Sequence, residues 1–240
     1  EDHKPLATPH LAVTYAPRLQ GTFIRQMFNE FVFDYVTDLR GERESYRVFM
    51  APVNWRLESG DRFEGNIVPT GERLTAPFEV ADGVVIPPGS YDWMRYRLEF
   101  QAAAKRRFSG QFTWRFGTFY KGQLDQLEAA SAWTPSPAVS FLFNLTHNIG
   151  RLDAGSFDQT LFGVRARLNL SPDLQVNTFV QYDNGSRSVG SNTRVRWTFH
   201  PQGDLFVIYN HNVRDFGSAE GGWARDANAL LVKIQYAWRR

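Results

Sequence analysis

Residues 229–238 read Ala-Leu-Leu-Val-Lys-Ile-Gln-Tyr-Ala-Trp. Leu230, Val232, Ile234, Tyr236 and Trp238 fall on one face of a period-two pattern, and Leu231, Lys233, Gln235 and Ala237 on the other. The same alternation returns at 93–104, 108–120, 139–146, 161–170, 174–182 and 193–199. Repeated strands of about ten residues, each with one apolar face and aromatic residues near its ends, constrain the fold strongly. Strands that cross a membrane need about 9–11 tilted residues, whereas soluble strands average about 5–6. A soluble sandwich also alternates, but its strands are shorter. The expected fold class is therefore all-β, an antiparallel up-and-down transmembrane β-barrel in a bacterial outer membrane. About twelve strands are expected, or fourteen and more if upstream strands are missing.

Composition agrees where it bears on this reading. Aromatic residues make up 15% of the chain, with 20 Phe, 9 Tyr and 7 Trp, which suits the interfacial girdles of a barrel. No run of about 18 apolar residues is present, so no transmembrane helix is expected. Alternating faces average out in hydropathy, so this does not argue against membrane strands. The chain has no Cys, which excludes a disulfide framework, a zinc–thiolate site and a Cys nucleophile. A net charge of +2 is too small to suggest a nucleic-acid partner. The chain opens on Glu1 without an apolar leader and reads as a processed protein or part of a longer one.

The alternation predicts strands near 21–38, 45–58, 62–68, 91–104, 108–120, 124–134, 137–148, 158–170, 173–183, 192–200, 204–213 and 227–238, with 10–16 as a further candidate. Short turns, such as Ser59-Gly60-Asp61, Ser171-Pro172-Asp173 and Pro201-Gln202-Gly203, alternate with mostly longer links at 69–90, 149–157, 184–191 and 214–226. That asymmetry fits periplasmic turns and extracellular loops. Two domains are expected: residues 1–20 as a periplasmic or plug-like segment, and 21–240 as the barrel. The apolar face switches parity between Tyr46, Val48, Met50 and Val53, Trp55, Leu57, so a bulge is expected near Ala51 and Pro52.

Charges set the faces. A charge facing lipid at mid-depth costs a few kcal/mol, so Arg95, Arg97, Arg115, Arg165, Arg167, Arg194, Arg196 and Lys233 are expected to line the interior. Two readings remain open. A basic wall would attract anions, as charged rings do in pores. Alternatively, the arginines brace a narrow interior by pairing with acids such as Glu58 and Glu64. Tyr236 and Trp238 are expected at the membrane interface, as the assembly signal of the final strand. Trp223 and Arg225, in the link 214–226, are candidate loop contacts, and 69–90 is a second exposed loop.

Catalytic chemistry finds little support. The five His show no metal-ligand spacing. Asn210-His211-Asn212 faintly resembles the His strand motif of outer-membrane phospholipases, but Val213 stands where their Ser is required. Loop acids such as Asp153 and Asp158 match no defined calcium loop. No catalytic residue, metal or cofactor is expected.

A family resemblance lies in five segments: Phe78–Tyr91 (FEVADGVVIPPGSY), Val164–Pro172 (VRARLNLSP), Val176–Asn184 (VNTFVQYDN), Asn192–Trp197 (NTRVRW) and Asp204–Asn210 (DLFVIYN). They resemble the C-terminal part of large Gram-negative outer-membrane proteins. Those proteins join an N-terminal sandwich, similar to family 9 carbohydrate-binding modules, to a C-terminal barrel domain of unknown function. The resemblance covers about residues 75–240 and implies a barrel without the sandwich. It brings no catalytic residues.

The expected function is a pore or transport channel with a basic lumen and a small solute as ligand. The alternatives are a non-conducting barrel anchoring a surface or periplasmic protein, and an outer-membrane hydrolase. The expected partners are the outer-membrane bilayer and its lipopolysaccharide.

Overall fold

The computed structural model describes residues 8–217 and 222–238. The regular structure is all strand: β1 (His10–Tyr15), β2 (Ile24–Met27), β3 (Asn29–Thr37), β4 (Arg43–Leu57), β5 (Arg62–Leu74), β6 (Phe78–Ala81), β7 (Val84–Ile86), β8 (Gly89–Gln101), β9 (Phe108–Gly117), β10 (Gly122–Ser136), β11 (Val139–Leu152), β12 (Gly155–Asn169), β13 (Leu174–Asp183), β14 (Ser188–His200), β15 (Gly203–Asp215) and β16 (Trp223–Tyr236). Fourteen of these form one antiparallel sheet in the order β1-β3-β4-β5-β8 through β16, with β2 beside β4. Strands adjacent in sequence are adjacent in the sheet, the up-and-down order that short turns dictate. Among the described residues no pairing joins β1 to β16, and closure into a barrel is not observed. Among the described residues no helix is long and apolar enough to cross a membrane.

The count differs from twelve for three local reasons. His10–Tyr15 pairs with β3, so the sheet begins inside the segment 1–20; residues 1–7 lie outside the described residues. Residues 21–38 form two strands, β2 and β3, interrupted at Phe28. The link 69–90 contains the hairpin β6–β7. The links 149–157 and 184–191 shrink to short turns, because the flanking strands run on: β11 has 14 residues and β12 has 15.

The interruption at Phe28 and the bulge share one cause. Met50 pairs with Ile67 and Val53 with Gly65, so β4 carries one extra residue at Ala51–Pro52. The bulge stands where the parity switch predicts it. Pro52 has no N–H to donate, and the extra residue releases it from the ladder. Phe28 donates its N–H to the Asn54 carbonyl at 2.8 Å across the gap.

Turn chemistry sets the register elsewhere. Ser171 Oγ accepts the N–H groups of Asp173 (3.2 Å) and Leu174 (3.0 Å), which closes the β12–β13 turn. Gly60 takes φ +88° in the β4–β5 turn, a conformation that suits glycine.

The chain divides into two compact units. The first is Glu1–Ala103, Gln111–Glu128 and His147–Asp158; the second is Ala104–Gly110, Ala129–Thr146 and Gln159–Arg240.

An apolar core of the first unit lies between the β6–β7 hairpin and the ends of β8 and β11. Ala81, Val84, Ile86, Tyr91, Tyr120 and Leu152 are buried together beneath the β6–β7 hairpin. Rings hold it: Tyr91 lies edge-on to Tyr120 at 5.1 Å, and Trp93 lies 4.7 Å from Tyr120. The link 69–90 is thus a folded cap rather than an open loop. Tyr120 sits at φ +45° and donates its hydroxyl to Glu72 Oε2 at 2.8 Å.

Burial, and then the hydrogen bond to the Glu72 carboxylate, push the Tyr120 phenol above its ordinary value. The folded cap therefore holds the neutral phenol. Its stability is intact below the unfolded value of about 10 and falls as pH rises beyond it. Tyr120→Phe is expected to flatten that alkaline loss. Tyr120→Ala is expected to cost about 3–5 kcal/mol locally, read as faster amide exchange at Val84 and Ile86.

Candidate functional site

The sheet of the first unit is inside-out. Tyr96, Leu98, Phe100 and Phe112 are exposed, while Asn54, Glu64, Asn66, Glu99 and Thr113 are buried. Soluble proteins almost never fully bury carboxylates unless these are paired.

The register explains the pairing. Asn54 stands opposite Glu64, Glu64 opposite Glu99, and Glu99 opposite Thr113. Two facing carboxylates repel, and two arginines offset this. Arg97 donates to Glu64 Oε1 at 2.9 Å and also to Glu99. Arg62 binds Glu64, lies 3.8 Å from Glu99, and donates its Nε–H to Asn54 Oδ1 at 3.1 Å. Asn66 donates to Glu64 at 2.9 Å, and Gln111 to Glu99 at 2.9 Å. With Glu64 2% and Glu99 3% exposed, this is a dense and nearly neutral network.

The eight basic residues singled out in the sequence divide into two sets. Arg95 donates to the Leu124 carbonyl and, at 3.0 Å, to Gln126 Oε1. Arg97 belongs to the carboxylate network, and Arg115 binds Glu128 at 2.5 Å. Arg196 holds Asp204 with two bonds, at 3.0 and 3.1 Å, and Thr198 donates to the same carboxylate at 2.6 Å. These four are braced.

Arg165, Arg167, Arg194 and Lys233 have no carboxylate partner among the described residues. Arg165 lies over the Phe179 ring at 5.1 Å and Arg194 over Phe206 at 4.6 Å, contacts that leave their charge uncompensated. All four belong to the second unit. Strand register sets them on one face: Arg167, Asn177 and Arg194 make one rung, and Gln175, Arg196, Phe206 and Lys233 the next but one. The opposite face carries Leu168, Val176, Val195, Val207 and Val232.

Tyr236, at the end of β16, lies against the His200 ring at 5.7 Å, and Trp238 is 82% exposed just beyond it. Trp223 opens β16 opposite Asp215, and Arg225 stands opposite Val213. Both are exposed. Residues 218–221 of the adjoining link lie outside the described residues.

His211, from the Asn210-His211-Asn212 segment, faces Asn228 and Tyr209. Its Nδ1 is hydrogen-bonded to Asn228 Oδ1 at 2.5 Å, and its ring lies 6.2 Å from Tyr209. Sequence reasoning missed Glu99 as the centre of a network. The signal was present in Arg97-Leu98-Glu99, where two opposite charges share one face. The pairing of Glu99 with Glu64 was not legible, because it depends on a β5–β8 register set across the intervening cap.

Comparison with family models, with curated proteins and with solved structures finds no match for this chain.

Proposed function

We propose that this chain is an outer-membrane β-barrel that conducts small solutes and prefers anions. Two features support the membrane. Exposed aromatic and aliphatic side chains occupy one sheet face, with buried paired charges on the other, as lipid outside and a polar interior require. The observation that carries the anion preference is the uncompensated set Arg165, Arg167, Arg194 and Lys233 on the polar face of β12–β16. Basic residues lining a path raise the local concentration of anions.

The test is single-channel conductance of the purified chain in a planar bilayer under a salt gradient. Steps with an anion-selective reversal potential support the pore. A second reading, a non-conducting barrel that anchors a surface or periplasmic protein, draws on the Arg62–Arg97–Glu64–Glu99 network, which packs paired charges on the polar face of β5 and β8. Stable insertion without conductance would establish that reading instead.

The membrane partner makes its own prediction. If Tyr236 and Trp238 form the interfacial anchor and assembly signal, replacing both by Ala is expected to lower the membrane-inserted fraction several-fold, read by heat-modifiable gel mobility. Unchanged insertion would remove the role.

A further inference from the structure

The polar face of β13–β16 contains a depression of about 540 Å³, within the range of about 300–1,000 Å³ common for ligand sites. The register builds it. In one rung Gln181 stands opposite Gly190, Gly190 opposite Asn212, and Asn212 opposite Ala227. In the next rung on the same face, Phe179 stands opposite Asn192, Asn192 opposite Asn210, and Asn210 opposite Ala229. In the first rung large amides alternate with residues that have little or no side chain, and in the second two amides stand together between Phe179 and Ala229. Gly190, Ala227 and Ala229 leave the floor open, and the amides stand around it.

Gly190 has a specific role. A Cβ there would meet Asn212 Oδ1 at 3.0 Å, so the glycine lets the Asn212 amide lean over the floor. Among the described residues, the side-chain amides of Gln181 and Asn212 make no hydrogen bond to protein. Asn192 donates to Asn210, which orients that pair.

Charges at the margin already have protein partners. Asp183 accepts from the Gly185 N–H at 2.9 Å and from the Ser186 hydroxyl at 2.8 Å, and Arg214 lies 3.6 Å from Asp226. What remains is uncharged and offers donors and acceptors side by side, as each carboxamide does. Its complement is an uncharged molecule dense in hydroxyl groups, each of which also donates and accepts. Phe179 adds an apolar edge, and the Arg165 guanidinium lies over its ring at 5.1 Å.

We propose that this depression is a binding subsite for a neutral polyhydroxylated solute, a short oligosaccharide. The inference goes beyond the pore and does not depend on conductance.

The test is isothermal titration of the full chain, in a detergent without a sugar head group, with maltotriose, cellotriose, triacetylchitotriose and, as the charged counterpart, trigalacturonate. At least one neutral trisaccharide is expected to bind. Asn192→Ala with Asn212→Ala is expected to weaken it about thirtyfold, as loss of two hydrogen bonds would. Gly190→Val, a substitution suited to a strand, is expected to abolish binding by filling the floor. Unchanged heat-modifiable mobility establishes that each variant is folded.

Three results would overturn the proposal: no binding of any neutral trisaccharide, binding that survives both variants, or trigalacturonate bound more than about tenfold tighter than every neutral one. Conductance of the native chain is read separately. A conducting chain that binds no sugar refutes the subsite alone, and a sugar-binding chain that does not conduct refutes the pore alone.

Discussion

Replacing Arg165, Arg167 and Arg194 together by Glu is expected to convert an anion-preferring channel into a cation-preferring one. With Lys233 these residues contribute a charge of +4 that no carboxylate offsets among the described residues. Three Glu in their place leave −3 and +1, a net −2. The change of six charges lies on a single sheet face, where Arg167 and Arg194 flank Asn177. Screening reaches about 10 Å at 0.1 M salt, so the swing should be largest at low ionic strength. The permeability ratio is expected to pass through unity and shift about tenfold or more, read as a change in sign of the reversal potential. The side chains are exposed, and assembly should survive the exchange. A reversal potential of unchanged sign would sink the anion-selective reading.

The second large effect falls on stability. Arg97→Met is expected to destabilise the first unit by about 3–5 kcal/mol, the usual cost of leaving a buried charge without its partner. Arg97 binds both Glu64 and Glu99 and is the nearer of the two arginines to Glu99, and both carboxylates are almost fully buried. Without it, two facing carboxylates share one arginine. The triple variant Arg97→Met, Glu64→Gln, Glu99→Gln removes the charges together and is expected to recover much of the loss. Arg165→Met, an exposed position, should stay within about 0.5 kcal/mol of the parent. Urea titration of the three variants in lipid vesicles orders them. Equal midpoints for Arg97→Met and Arg165→Met would show that the network contributes nothing to stability.

These expectations rest on features of unequal legibility. Period-two alternation placed most of the sheet strands, because side-chain direction in a strand is a local property of the backbone. The bulge at Ala51–Pro52 was legible for the same reason: a parity switch beside a proline has few other solutions. The cap was not. Phe78–Ala81 and Val84–Ile86 are too short to show periodicity, and they pack against Tyr91 and against Tyr120 and Leu152, the last two distant in sequence. The short strand β1 was only a candidate, since nothing within His10–Tyr15 identifies β3 as its neighbour.

The same division holds for the polar face. The sequence by itself determined that this chain is all-β, and which side chains share a face, since both follow from alternation along one strand. Which arginines are neutralised was decided only by the tertiary structure. Arg97 and Arg167 look alike in sequence, each on a polar face with another Arg two residues away. Each stands opposite an Asn, Arg97 opposite Asn66 and Arg167 opposite Asn177, but Arg97 reaches Glu64 on the diagonal of the β5–β8 ladder, at 2.9 Å, and no carboxylate flanks Asn177. A charge is compensated by the acids brought within its reach, and strand register, a relation between distant segments, decides which those are.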